Sequence, residues 1–253
     1  MIVLISLACT PEPAKSPGPL PTEGGECTAK DAVVRFNTQD DVGLEADLQP
    51  AASGNRGAVI LLHMIPPDND RTGWKKSVRN SLNDLDLTVL NVDRRGAGGS
   101  GGDPLESYEG VGGRRDAEAA VSFLLSGAGT CGVDPTAIAI VGASNGSTSA
   151  LDYAVAHEAD LPDLAALAFL SPGTYTENQF GIDDERAVLD PLRILWLFPT
   201  TEDFSLEFEV DGPATWSFIE RGTQHGTGMF DGDTLEDDTV ADLRDFLAET
   251  VAP

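Results

Sequence analysis

The sequence predicts an α/β domain built on a mostly parallel central sheet. Three observations predict it: apolar runs of strand length recur from residue 32 onward, longer helix-like segments separate most of them, and the first two runs are joined by a short acidic turn rather than a crossover. With 253 residues, 41% of them apolar, the chain can bury one sizeable core, and a single domain over residues 31–253 is expected. No internal repeat and no sustained heptad interrupts the pattern.

"AVVRFN" and "GLEADL" read as an antiparallel hairpin closed by the turn from Gln39 to Val42. "GAVILLH", "LTVLNV", "AIAIVG", "LAALAFLS" and "RILWLF" are near-continuous apolar runs, the pattern of strands buried on both faces of a parallel sheet. "ATWSFIE" supplies a last strand. Helices are expected over Trp74–Leu82, Arg114–Leu125, Asn145–His157 and Leu235–Glu249, and alternation of this kind covers both faces of the sheet. The 23 residues from Ser171 to Arg193 leave room for little more than one short helix, so any lid over the carboxyl edge is minimal.

Ahead of the domain, Ile2 to Ala8 is apolar or small, Cys9 follows, and Pro and Gly dominate the tract to Gly25. This resembles a bacterial lipoprotein signal over residues 1–9 with a tether over 10–30, which implies export and a lipid anchor on Cys9. The apolar run is too short to span a bilayer as a helix. Contact with a membrane is therefore expected only through that anchor. In an oxidising compartment Cys27 and Cys131 are free either to pair or to remain two thiols. With no Cys or His at ligand spacing beside them, neither points to a structural zinc. The 42 acidic residues against 16 Lys and Arg give a net charge of −26, which disfavours nucleic acid as a partner and favours a strongly solvated surface.

Two glycine patterns carry chemistry in other proteins. Gly96, Gly98 and Gly101 fall at the G-x-G-x-x-G spacing of a dinucleotide loop, but that fingerprint opens a helix at once, whereas Pro104 soon follows here. The second pattern is Gly142, Ala143, Ser144, Asn145 and Gly146, a G-x-S-x-G between an expected strand and an expected helix. Such a turn thrusts a serine hydroxyl out at the carboxyl end of the sheet. A hydroxyl needs a base to become nucleophilic. Of the three histidines, His225 follows the last strand and can reach back over the sheet; His63 ends a strand and is expected to shape its loop, and His157 lies near the end of a surface helix. An orienting carboxylate is expected from "PTTEDF", where Asp203 is favoured over its neighbour Glu202.

From about Ala32 onward the chain resembles the α/β-hydrolases, in particular small dienelactone-hydrolase-like and esterase-like members. The residues that carry the resemblance are "VILLHMIPPDNDRTGW", "VDRRGAGGSGG", "GASNGS", "TTED" and "QHGT". The glycine loop matches the family's D-x-R-G-x-G-x-S at Asp93, Arg95, Gly96, Gly98 and Ser100. Met64 stands where the family usually has Gly, Ser147 where a second Gly is common, and Ser144 where true dienelactone hydrolases have Cys. The resemblance implies an α/β-hydrolase fold and ester cleavage through Ser144, Asp203 and His225. The backbone N–H groups of Asn145 and Ile65 would then form the oxyanion hole. It implies no metal and no organic cofactor, and a small-molecule ester as substrate. Trp74, Phe180 and Phe204 can line an acyl pocket or simply fill the core. A peptidase or amidase with the same triad, and a binding lipoprotein that keeps the scaffold without turnover, are the alternatives.

Overall fold

The computed structural model describes residues 28–53, 56–177, 179–202, 212–231 and 235–251. The lipoprotein-like segment with Cys9, most of the tether with Cys27, and Asp203 and Phe204 lie outside the described residues. Cys131 is disulfide-bonded.

Eight strands form one sheet: β1 (Ala32–Asn37), β2 (Gly43–Gln49), β3 (Arg56–Leu62), β4 (Thr88–Asp93), β5 (Val133–Ala143), β6 (Ala166–Leu170), β7 (Arg193–Phe198) and β8 (Trp216–Glu220). Their spatial order is β1-β2-β4-β3-β5-β6-β7-β8. β1 pairs antiparallel with β2, β2 antiparallel with β4, and every later pairing is parallel. The helices are α1 (Lys76–Asn83), α2 (Gly112–Leu125), α3 (Asn145–Ala156), a single turn α4 (Arg186–Leu189) and α5 (Leu235–Thr250). No described helix is long and apolar enough to cross a membrane.

The apolar alternation sorts side chains to two cores. Residues such as Ile60, Leu62, Ile140 and Phe169 meet α2 and α3 on one face, while Val59, Leu61, Val141 and Leu195 meet α1 and α5 on the other. Because α1 covers one face and α2 the other, the chain switches faces as it passes β3, β4 and β5. In α/β sheets such a switch marks the crevice at the carboxyl ends of the strands where ligands bind, here those of β3 and β5. Leu62 pairs with Gly142 there, so His63 and Ser144 leave neighbouring strands at the same level.

Few cations serve many carboxylates. Arg71 bridges Glu45 (2.8 Å), Asp47 (3.0 Å) and Asp93, and Arg95 bridges Asp40 (3.0 Å), Glu106 (3.1 Å) and the buried Asp116 (2.8 Å). The Gly96–Gly101 loop closes over this network. Gly98 has φ of +51° and a Cβ on it would lie 2.0 Å from the Asp93 carboxylate, which accepts the Gly99 N–H at 2.7 Å. The loop thus wraps a protein carboxylate of its own, which accounts for its glycines.

Candidate active site

Ser144 sits on a backbone turn that almost no side-chain-bearing residue adopts, with φ of 51° and ψ of −123°. The flanking glycines make the turn possible. A Cβ on Gly142 would lie 2.4 Å from the Gly146 carbonyl oxygen, and one on Gly146 would lie 2.4 Å from the Leu62 carbonyl oxygen and 2.7 Å from that of His63. The strand, the helix and the end of β3 therefore touch backbone to backbone. The Ser144 N–H donates to the Leu170 carbonyl (2.8 Å), and both the N–H (2.9 Å) and the hydroxyl (2.5 Å) of Ser147 donate to the Ser144 carbonyl. Ser147, at the position of the common second glycine, thereby braces the turn.

His225 lies beyond β8 and donates from Nδ1 to Glu202 Oε1 at 2.6 Å. The imidazole is 39% exposed, while the carboxylate is 10% exposed, so solvent reaches the base but hardly its partner. Asp203, expected as the orienting acid, lies outside the described residues, and the imidazole nitrogen that such an acid must hold is engaged by Glu202. Glu202 is itself set in its loop by a backbone bond, its N–H donating to the Pro199 carbonyl (3.1 Å).

The histidine loop reaches the serine through its next residue. Gly226 has φ of +54°, and a Cβ on it would lie 2.4 Å from Met64 Sδ and 3.6 Å from Ser144 Cβ. Its N–H donates to Ser171 Oγ at 2.8 Å, and Ser171 itself holds φ of 51° at the end of β6. Strained residues thus meet at one point, a pattern that clusters at functional sites. Met64 fills the space beside a glycine that arrives on the loop after the edge strand β8.

The other two histidines behave as expected. His63 is fully buried; Nδ1 donates to the Met64 carbonyl (2.7 Å) and Nε2 accepts the Arg94 N–H (2.9 Å), so the ring is neutral and shapes its loop. Burial, with the Arg94 charge second, pulls its pKa down to about 3. His157 ends α3, bonded to the Tyr153 carbonyl and stacked on the Tyr153 ring. Among the expected oxyanion donors, Asn145 is buried as the first residue of α3 and Ile65 is 38% exposed in the loop after β3. Among the described residues neither N–H donates to a protein acceptor. Trp74 is fully buried against Phe230 and belongs to the core; Phe180 is half-buried. Among the described residues no group of three or more His, Cys, Asp or Glu side chains is placed to hold a metal ion.

Two residues of the site carry no motif signal. Tyr175 folds back over Gly173, where a Cβ would lie 2.5 Å from its ring, and its hydroxyl donates to the Ser171 carbonyl at 2.9 Å. That hydroxyl is a hydrogen-bonding neighbour of Ser144, and the ring stands edge-on to His225 with centroids 6.1 Å apart. Burial pushes the phenol above its ordinary range, so it stays protonated. Arg94, hidden beside the family-matching Arg95, reaches the elbow from behind, with Nη1 2.8 Å from Asn145 Oδ1.

The fold is that of the α/β-hydrolases. The esterase Pf2001 of Pyrococcus furiosus superposes with a TM-score of 0.69 over 88% of this chain and 92% of its own, at 14% identity. A dienelactone hydrolase from Anabaena variabilis (TM-score 0.65, 14% identity, 88% and 99% covered) and the esterase RhEst1 from a Rhodococcus species (0.63, 15%, 86% and 99%) agree. In sequence, the chain is 35% identical over 160 residues to uncharacterized proteins of Mycobacterium tuberculosis strains H37Rv and CDC 1551, a match covering 63% of this α/β-hydrolase-fold chain. The match spans about half the length, 51%, of those relatives. No family model matches the chain.

Proposed function

We propose that the chain is a serine hydrolase of small or medium carboxylic esters, with Ser144 as nucleophile, His225 as general base and Glu202 as the acid that orients it. The observation that carries this reading is the Glu202–His225 hydrogen bond on a loop whose next residue packs against Ser144. His225 takes the Ser144 proton as Oγ bonds to the ester carbonyl carbon, and the carbonyl π-electrons move onto oxygen. The N–H groups of Asn145 and Ile65 receive that negative charge, each such donor contributing on the order of 3 kcal/mol. Collapse expels the alcohol, which leaves with the proton from His225. A water then gives a proton to His225 and attacks the acyl-enzyme, releasing the carboxylic acid and restoring Ser144. Throughout, Glu202 holds the tautomer in which Nε2 is the proton acceptor.

The one-turn α4 between β6 and β7 leaves the crevice thinly covered, which favours small esters over long lipid chains. The resemblance of residues 1–9 to a lipoprotein signal extends the reading to an enzyme anchored at the cell envelope through Cys9. Palmitate incorporation into the wild type but not into Cys9→Ala tests that extension.

Nitrophenyl esters of graded chain length, set beside aminoacyl amides, test the chemistry. Ser144→Ala and His225→Ala should each lower ester turnover by about 10⁴-fold. Undiminished turnover in both would end the proposal; preference for amides would turn it into a peptidase.

A further inference from the structure

We propose that Arg94 is a positioning residue for the oxyanion donors, a buried clamp that ties the end of β3 to the first residue of α3. The inference rests on the hydrolase reading and adds a part that the motif does not contain. One nitrogen, Nη1, donates both to the His63 carbonyl (3.2 Å) and to Asn145 Oδ1 (2.8 Å). The two segments so joined are those that supply the two proposed donors. The Arg94 backbone N–H holds the His63 ring as well, at 2.9 Å. Nη2 anchors the guanidinium from behind, donating to the Ser107 carbonyl (2.9 Å) and to Ser149 Oγ (2.8 Å). The Asn145 amide nitrogen is held in turn by Thr176 Oγ1 at 3.2 Å and the Tyr175 carbonyl at 3.4 Å. With its side chain fixed at both ends, Asn145 has little freedom to turn its backbone N–H away.

The contrast with the next residue argues against a purely structural role. A buried guanidinium loses its hydration, and proteins ordinarily offset that loss with a carboxylate. Arg95 follows the rule, with Asp116 at 2.8 Å and Asp40 at 3.0 Å. The side-chain bonds of Arg94 all go to neutral oxygens, and Asp116 acts on it only from a distance. Burial lowers its pKa to about 10, so it remains charged at neutral pH. A fixed positive charge behind the elbow is poorly matched in the resting protein and better matched when the carbonyl oxygen becomes anionic. That is the arrangement in which binding energy appears only in the transition state. A lysine would keep the charge but not the second nitrogen that anchors the group to Ser107 and Ser149 while the first joins the two segments.

The test uses the full chain and the variants Arg94→Met, Arg94→Lys, Asn145→Ala and Ser149→Ala. Active sites are counted to end point with a fluorophosphonate, kcat and KM are measured per titrated site on nitrophenyl acetate, and inhibition by a trifluoromethyl ketone is measured in parallel. We expect kcat per site to fall by about 10²-fold in Arg94→Met and less in Arg94→Lys, the scale of one lost oxyanion donor. KM should stay within about threefold, and ketone affinity should fall in step with kcat. Asn145→Ala keeps the backbone N–H but cuts the tie, and kcat should fall by about tenfold. Ser149→Ala removes one of the two rear anchors and leaves Ser107, so kcat should fall by less than in Asn145→Ala. If Arg94→Met does not fold, Asn145→Ala and Arg94→Lys decide. Wild-type kcat per titrated site in Asn145→Ala and the folded Arg94 variants, or unchanged ketone affinity in them, overturns the positioning role while leaving the hydrolase reading intact. A wild type that the fluorophosphonate does not label, and whose turnover matches Ser144→Ala, overturns both.

Discussion

The two sides of the crevice are built differently. On one side, the ends of β3, β4 and β5 bring His63, Arg94 and Ser144 together by backbone contact and by bonds between fully buried groups. On the other, Tyr175, Glu202 and His225 stand on the loops after β6, β7 and β8, joined by side-chain bonds such as Glu202–His225, with the imidazole partly open to solvent. The first side has no adjustable part: a glycine that gains one carbon must push a main-chain carbonyl. The second side can be retuned by one neighbour in a loop. A nucleophile on a rigid turn beside a base on a tunable loop separates the part of the chemistry that is common from the part that adapts.

The largest test of this contrast lies on the loop side. Glu202→Ala should lower kcat by about 10⁴-fold, because an imidazole without its carboxylate loses both tautomer and orientation. Asp203→Ala should stay within about threefold of wild type, on the argument that Glu202 already engages the imidazole Nδ1. Initial rates on nitrophenyl acetate suffice. The reverse ranking would move the orienting role to Asp203.

A smaller effect is expected where the two sides touch. Gly226→Ala places a carbon against Met64 Sδ at a positive φ and should shift the His225 loop, lowering kcat/KM by about 10²-fold. Part of that loss is strain at the glycine itself and part is the clash with a flexible side chain. Adding Met64→Gly should recover the second part only. A double-mutant cycle that shows no coupling would mean the two sides do not communicate at this contact.

The same contrast explains what the sequence conveys. The strand order of apolar runs, the hairpin and the G-x-S-x-G turn are legible because each is dictated locally, by periodicity or by a backbone that only glycine permits next to Ser144. Expected bounds differ from the observed ones by a residue or two at most elements; β5 extends further, beginning at the buried Val133 rather than Ala137, through Asp134, Pro135 and Thr136, which lack an apolar strand pattern. His225 is legible because the chain holds only three histidines. The choice between Glu202 and Asp203 is not, since it turns on which way one loop residue faces. Tyr175 and Arg94 escape for a related reason: a phenol in a short connection and the first of two adjacent arginines acquire their meaning only from what the fold brings beside them.

The smallest expected effect is a pH slope in stability, and it sets one group from each side against the other. His63 belongs to the rigid side; its pKa, depressed to about 3 from about 6.5, means that the unfolded chain binds more protons between those values. Its contribution is complete above about pH 6.5 and is lost as pH falls toward 3. Asp152 on α3 faces the loop after β6, accepting the Phe180 N–H at 3.4 Å, and burial raises its pKa to about 6. Here the folded chain binds more protons between about 3.8 and 6, so its contribution is complete below about 3.8 and falls away as pH rises through 6. Over pH 4 to 6 the two slopes oppose each other. Asp152→Asn removes one of them, and urea midpoints at pH 4, 5, 6 and 7 should then fall more steeply with acid than those of the wild type. The difference is bounded by one proton, about 1.4 kcal/mol per pH unit. Parallel curves for the two proteins would show that Asp152 titrates alike in both states, and that α3 gains nothing from holding the β6 loop with a protonated carboxyl.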